Sequence, residues 1–403
     1  MSLPGVLRRF RMGAMVMAAV FLTGTAAPIF VDAVARERTQ LVPLDFDALS
    51  GWSEDDHDAA FSAFMRSCTG PARTAPDGPV TLRPGIELSE DLKAVCAIAR
   101  NWQDGARAFF EAHFMPHRVV PGEGRPFLTG YYEPEYDGAR QPGPDFSAPL
   151  RPRPPDLVTR NAENPLPGID ENLAAARRLP DGSHVPYPDR AAIMDGAIDD
   201  LAPPIVYLRH PAQAFIIHVQ GSARIRLDDG DVMRVGYAGR NGHPFTAIGR
   251  LLVERGTIPL EEMSLARLLG WLEDPANAVQ ADALMRENRS YIFFAENRAL
   301  AAEDGPIGGA GVALTPHRSL AVDRTIWPYG LPVWLSGTLP DADNRETPLA
   351  QLMIAQDTGS AITGVARGDY FTGSGDEAGR QAGYIRHRPD FVILLPRATG
   401  TGP

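Results

Sequence analysis

Cysteine is scarce, with two residues in a chain of 403. That excludes a disulfide-dense scaffold and a four-cysteine zinc site. Net positive charge is missing as well. The formal charge of −11 excludes nucleic acid as the expected partner, because phosphates demand a basic face. No HExxH, GxSxG or Walker-type sequence occurs, which removes three common routes to hydrolysis. The nine histidines are scattered, and Pro116 prevents His113 and His117 from sharing a regular helix face. No metal or other cofactor is expected. Gly305 to Gly311 is glycine-rich but lacks the lysine and following helix of a phosphate cradle, and reads as a turn before a strand. Beyond the N-terminus, no apolar run is long enough to cross a bilayer.

What is present begins with an address. Arg8, Arg9 and Arg11 precede an apolar stretch from Met12 to Val31, and Ala33-Val34-Ala35 offers an A-x-A cleavage site. This is the pattern of an exported chain, with residues 1–35 as signal peptide. An uncleaved N-terminal anchor is the alternative. The segment has no cysteine to carry a lipid, so the expected location is the periplasm, soluble or N-terminally anchored. Export bears on the two thiols. Phe61, Phe64, Met65 and Cys68 fall at helical spacing, as do Leu92, Val95, Cys96 and Ala99. Cys68 and Cys96 then sit on the buried stripes of neighbouring helices, either bridged or as two core thiols.

Hydrophobic residues at 44% and charged residues at 22% are ordinary for a globular chain, and this length accommodates two or three domains. Glycine (39) and proline (37) are abundant, as in turn-rich β architectures. Residues 36 to about 115 read as mainly helical, and 121–204 as irregular strands and loops. Residues 214–219 read as a buried strand. Residues 223–227 and 232–235 flank Asp228-Asp229-Gly230-Asp231 as a hairpin. Three helices are expected between 245 and 287. Strands are expected at 291–295, 311–314, 332–335, 352–356 and 391–395. The fold class is α+β, mainly β.

One carboxylate stands out. The apolar strand 351–356 delivers Asp357 into the turn Thr358-Gly359, where burial can raise its pKa for general-acid work. Asp323, after 320–322, and Asp369, before Tyr370-Phe371, have comparable settings. For each, a turn or capping role is the plain alternative.

The contexts AVDRTIWPYG (321–330), AQDTGSAITG (355–364) and RGDYF (367–371) resemble the "3D" domain, over about 310–395. The stretches LTGYYEPEYDG (128–138), FIIHVQGSARIRLDDG (215–230) and VGYAGRNGHPFTAIGRLL (235–252) resemble the insert domain of the membrane-bound lytic transglycosylase A family (MltA, glycoside hydrolase family 102). The resemblance implies a double-psi β-barrel built from both ends of the chain, 36–136 and 289–403, with N-terminal helices. A second β-barrel, 137–288, is inserted, and a glycan groove runs between the two. It implies Asp357 as catalytic acid and base, with Asp369 and Asp323 supporting it. Tyr131 and Tyr132 have rings suited to sugar faces. Gln220 and Ser222 can donate to hydroxyl or N-acetyl groups. Tyr237, Asn241 and His243 lie in a glycine-bounded loop suited to a groove wall, and Thr358 and Gly359 complete the expected contacts. The implied partner is peptidoglycan, met by a monomer that associates at most peripherally with the envelope. The implied activity is lytic transglycosylation. A non-catalytic, expansin-like wall-binding protein and a two-carboxylate hydrolase are the alternatives.

Overall fold

The computed structural model describes residues 38–70, 88–161 and 163–397. The expected signal segment, residues 1–35, lies outside them. The first strands are β1 (Gln40–Pro43), β2 (Phe114–Val120) and β3 (Phe127–Glu133). Then come β4 (Glu135–Ala139), β5 (Ala148–Leu150), β6 (Leu157–Thr159), β7 (Ala175–Arg178), β8 (His184–Pro186), β9 (Val206–Leu208), β10 (Ser222–Leu227), β11 (Val232–Arg240) and β12 (Ile292–Glu296). The last are β13 (Ser319–Val322), β14 (Pro332–Pro340), β15 (Glu346–Asp357), β16 (Arg367–Ser374), β17 (Arg386–His387) and β18 (Asp390–Pro396).

Strands distant in sequence share the larger sheet, in the order β1-β2-β18-β14-β15-β13-β16-β3-β17. It curls into the nearly closed double-psi β-barrel that the resemblance implied. Two of its pairings, β13 with β15 and β16 with β3, are parallel. Each therefore needs a long crossover rather than a hairpin. A second sheet runs β12-β11-β10-β4-β9-β5, and a small one joins β6, β7 and β8.

Helices His57–Thr69, Leu88–Ala99 and Ala106–His113 cover one side of the barrel. Asp56 caps the first of them by accepting from Ala59 N. Their buried faces carry Phe64, Phe109 and Phe110, which meet Phe114 of β2 and enter one core with Trp334, Leu352 and Ile393. Cys68 and Cys96 pack against the same core and are bridged, across 28 positions of sequence. A closed loop of this length lowers the entropy of the denatured chain. The double variant Cys68→Ser/Cys96→Ser is expected to lose about 3–4 kcal/mol in urea unfolding, and a loss near zero would contradict this account.

Two elements differ from expectation. Residues 214–219 form no strand but lie in the helix Pro211–Gln220. Its apolar residues face protein on nearly every side, so the helical period is lost from the sequence. Its end signals are nonetheless there: His210 caps it, Pro211 starts it and Gly221 stops it in the left-handed conformation. Residues 311–314 make only one isolated bridge, Ile307 with Ala313, because this loop is folded against the end of β15.

Candidate active site

Pairing register brings the acids together. Ala321 of β13 lies opposite Asp357 of β15 on one side and Asp369 of β16 on the other. Asp369 in turn lies opposite Thr129 of β3. Directly opposed residues share a sheet face, so Asp357, Ala321, Asp369 and Thr129 form one row. Two strand spacings put the aspartate backbones about 10 Å apart, and Ala321 between them is buried in a cluster with Tyr131, Leu314, Ile362 and Phe371.

A β-bulge aims the first acid. Register between β13 and β15 shifts between Leu320 and Ala321, leaving Gln356 as the extra residue. Gln356 turns inward and is held firmly. Its amide nitrogen donates to Ala63 O (2.8 Å) and Ser67 Oγ (2.9 Å), and its Oε1 accepts from Ser319 Oγ (2.6 Å). Bulges re-aim the neighbouring side chain, here Asp357. Asp357 Oδ1 accepts from Gly309 N and Thr358 N, each at 2.8 Å. With both donors on Oδ1, a proton on this carboxyl belongs on Oδ2.

Gly309 is required for that contact. A Cβ there would stand 2.3 Å from Tyr329 Oη and 3.4 Å from Asp357 Oδ1. Gly308 is equally tight, its virtual Cβ lying 2.7 Å from Gln356 O. The 305–311 loop is therefore a wall of the site, a role its glycines alone did not reveal.

Burial sets the electrostatics. Asp357 is only partly covered at its surface but is surrounded by protein, which raises its carboxyl above the ordinary carboxylate value. The Gly309 and Thr358 N–H groups and the Tyr131 hydroxyl oppose the rise. Tyr131 lies on this face, two residues along β3 from Thr129, its ring 5.2 Å from that of Phe371. The Tyr131 hydroxyl is buried beside Asp357 without good hydrogen-bond geometry to any group. Burial likewise pushes Asp369 up to about 6, against a hydrogen bond from Thr129 Oγ1 and the positive charge of Arg367. Arg367 Nη2 also donates to Thr129 Oγ1 at 2.7 Å.

The Asp369 shift has a consequence for stability. A carboxyl whose folded pKa is raised contributes stability that is complete below its unfolded pKa, near 4, and lost as pH climbs to about 6. Asp369→Asn removes that titration. Thermal unfolding is expected to find the variant more stable than the parent by about 1–2 kcal/mol at pH 8, and equal to it near pH 4. The same difference at both pH values would refute the assignment.

The other expected residues are placed differently. Asp323 Oδ1 accepts from Thr325 N and Oγ1, and its Oδ2 from Gly364 N, so it shapes the turns flanking the row. Thr358 Oγ1 donates to Val322 O (2.9 Å), and Gly359 is exposed in the turn beyond. Tyr132 points to the opposite face from Tyr131, against Gly379 and Ala378. Its backbone N–H donates to Gln220 Oε1, which ties the helix Pro211–Gln220 to β3. Ser222 is buried on β10. Asn241 is 0% exposed, bonding Pro188 O, Arg289 O and Tyr291 N, and His243 Nε2 lies 2.7 Å from Tyr187 O. These two secure backbone inside the inserted region rather than line a groove. Tyr237, at 57% exposed, is open to solvent.

A double-psi barrel bearing this row of acids and an inserted sheet defines the class to which the chain belongs. The profile described as MltA specific insert domain matches residues 127–295, and that of the 3D domain matches 318–395. The solved membrane-bound lytic murein transglycosylase from Agrobacterium tumefaciens is 36% identical, covering 89% of this chain and 98% of that one at a TM-score of 0.78. MltA from Neisseria gonorrhoeae, in its monoclinic form, is 28% identical, covering 91% and 94% at 0.70. The membrane-bound lytic murein transglycosylase A of Vibrio cholerae is 31% identical over 268 residues, 66% of this chain. That match spans 64% of the length of the curated relative. This chain belongs to the MltA family.

Proposed function

We propose that the chain is a lytic transglycosylase of peptidoglycan, with Asp357 as its acid and base. Protonated Asp357 gives its proton from Oδ2 to the glycosidic oxygen between N-acetylmuramic acid and N-acetylglucosamine. As the C1–O bond breaks, positive charge develops at the anomeric carbon. The carboxylate then takes the proton of the muramyl C6 hydroxyl while that oxygen attacks C1, closing a 1,6-anhydro ring. No water is consumed, and the carboxyl ends protonated as it began. The observation that supports this reading is the bulged, buried Asp357, fixed through Oδ1 and inclined to hold its proton.

Asp369 and Asp323 support the site in this reading, the first through the Thr129–Arg367 relay and the second through its turns. Tyr131 is the aromatic contact nearest the acid. The catalytic unit in this reading comprises 36–136 and 289–403, and the inserted one 137–288; the larger sheet draws its strands from the first of these, whereas β12 (Ile292–Glu296) and the start of β4 cross the bounds into the second sheet. The names of the relatives speak for a place in the cell envelope. No helix among the described residues is long and apolar enough to cross a membrane. Turbidity of purified sacculi tests the activity. It should fall steadily with the full chain, and a constant turbidity despite binding would leave the expansin-like alternative.

A further inference from the structure

A cavity of about 560 Å³ lies against the outer half of the β14–β15 hairpin, bounded by the 51–55 turn, His317 and Tyr370. It is separate from the row of acids. Tyr370 follows Asp369 on β16, and neighbours along a strand point to opposite faces. His317 adopts the left-handed conformation (φ 60°), which is uncommon for a residue with a side chain, and its N–H donates to Phe371 O (2.8 Å). Its Nδ1 lies 3.1 Å from Tyr370 Oη, and the Tyr370 hydroxyl also meets Gln351 Oε1.

A phenol has one proton, and that fixes the polarity of this chain. Tyr370 gives it to Gln351, so His317 Nδ1–H donates to Tyr370 Oη. Left over are the lone pair on His317 Nε2 and the N–H groups of the Gln351 amide. Neither nitrogen has a partner among the described residues, and neither is sealed from solvent. Turning the amide over exchanges the two roles, so one side chain still offers a donor and the other an acceptor. Burial and the charge of Arg318 hold His317 below the ordinary imidazole value, which keeps the ring neutral.

The charges around the cavity select against an anion. Asp55 is matched by Arg318 (2.8 and 2.9 Å) and accepts from Leu352 N, which leaves Glu54 as the unmatched charge of the lining. No lysine or arginine among the described residues lines it. Leu339, Pro348 and Leu349 add apolar wall. A peptide stem brings carboxylates, which would meet Glu54 and no cation. A sugar brings hydroxyl and N-acetyl groups on an apolar ring face, which match one acceptor, one donor and an apolar wall.

We propose that this cavity is a second glycan site, where His317 and Gln351 hold hydroxyl and N-acetyl groups of a strand away from the reacting bond. The inference rests on the peptidoglycan reading above and adds anchorage to the polymer, since a chain held at two places leaves a sacculus more slowly than one held in the groove alone.

Co-sedimentation with purified sacculi tests it, in the full chain carrying Asp357→Asn so that the strands persist. His317→Asn keeps a residue tolerant of the left-handed backbone but lacks the Nε2 atom. Gln351→Leu removes the amide at similar size. Each leaves Tyr370 with one of its two partners, and near-UV circular dichroism verifies the fold. Either variant is expected to raise the apparent Kd about fivefold, the effect of one neutral hydrogen bond. The same rise is expected on sacculi freed of stems by an amidase, and it should persist in high salt because no charge is involved. Unchanged binding by both folded variants, or weakening confined to stem-bearing sacculi, would overturn the second site while leaving the activity standing. A parent chain that neither binds nor clears sacculi refutes the peptidoglycan reading itself, and the second site with it.

Discussion

Asp357→Asn is expected to bind glycan strands like the parent while losing at least about a hundredfold in turnover. The amide oxygen of Asn can accept from Gly309 N and Thr358 N in place of Oδ1, so the turn and the bulge persist. What the variant lacks is a proton to give and a carboxylate to take one back. General acid–base catalysis is worth roughly 10²–10⁴ in rate, and here one group performs both halves. A co-sedimentation assay with sacculi reports binding, and release of soluble muropeptides reports turnover. A variant within tenfold of the parent, folded and binding, would remove Asp357 from the chemistry.

The largest expected effect on stability lies at Glu133. It stands at the end of β3, 1% exposed, where the two large sheets meet. Its carboxylate accepts from Arg224 Nε (2.7 Å), Arg234 Nη2 (2.9 Å) and Ser374 Oγ (2.8 Å). Arg224 and Arg234 reach on to Ala302 O, Asp304 O and Ala301 O, so one carboxylate joins β3, β10, β11, β16 and the 301–304 loop. Removing one partner of a buried pair strands the other's charge, at a cost of about 3–5 kcal/mol. Glu133→Ala is therefore expected to lose that much in denaturant unfolding. Adding Arg234→Met should restore part of it, because no buried guanidinium is then left unmatched. A loss below about 1 kcal/mol would mean that the hub does not hold the sheets together.

Much of this arrangement was legible locally. The three early helices, the 222–240 hairpin and the strand carrying Asp357 all have periods and end signals spanning a dozen residues, which is the range over which sequence patterns speak. The bridged thiols followed from two helical stripes once an oxidising compartment was assumed, with free core thiols as the open alternative. What was hidden depends on partners distant in sequence. The row of Asp357, Asp369 and Thr129 exists only through the parallel pairings of β13 with β15 and β16 with β3 and the antiparallel pairing of β13 with β16, and no local pattern states register between strands so far apart in sequence. The Gly309 wall was hidden for the same reason, since its donor meets an acid 48 positions away. Asn241 and His243 looked like a groove wall because polar residues between glycines usually face solvent. Gly242 instead folds that loop onto the backbone of Ala175, where a Cβ would stand 2.3 Å from Ala175 N, and the polar side chains turn inward to bond backbone.

The fate of the anomeric carbon decides the account. The Asp357–Asp369 row sets a second carboxyl two strands away on the same sheet face, so the competing chemistry is that of a two-carboxylate hydrolase, whose water-activating form has its paired groups about 6.5–9.5 Å apart. The two chemistries leave different ends. Mass spectrometry of the muropeptides released from purified sacculi separates them, because an anhydromuramyl end is about 18 Da lighter than a hydrolysed one, the mass of the water not consumed. Anhydro ends as the dominant product are the predicted result. Reducing ends in their place would contradict the single-aspartate mechanism and turn the assignment toward the two-carboxylate hydrolase.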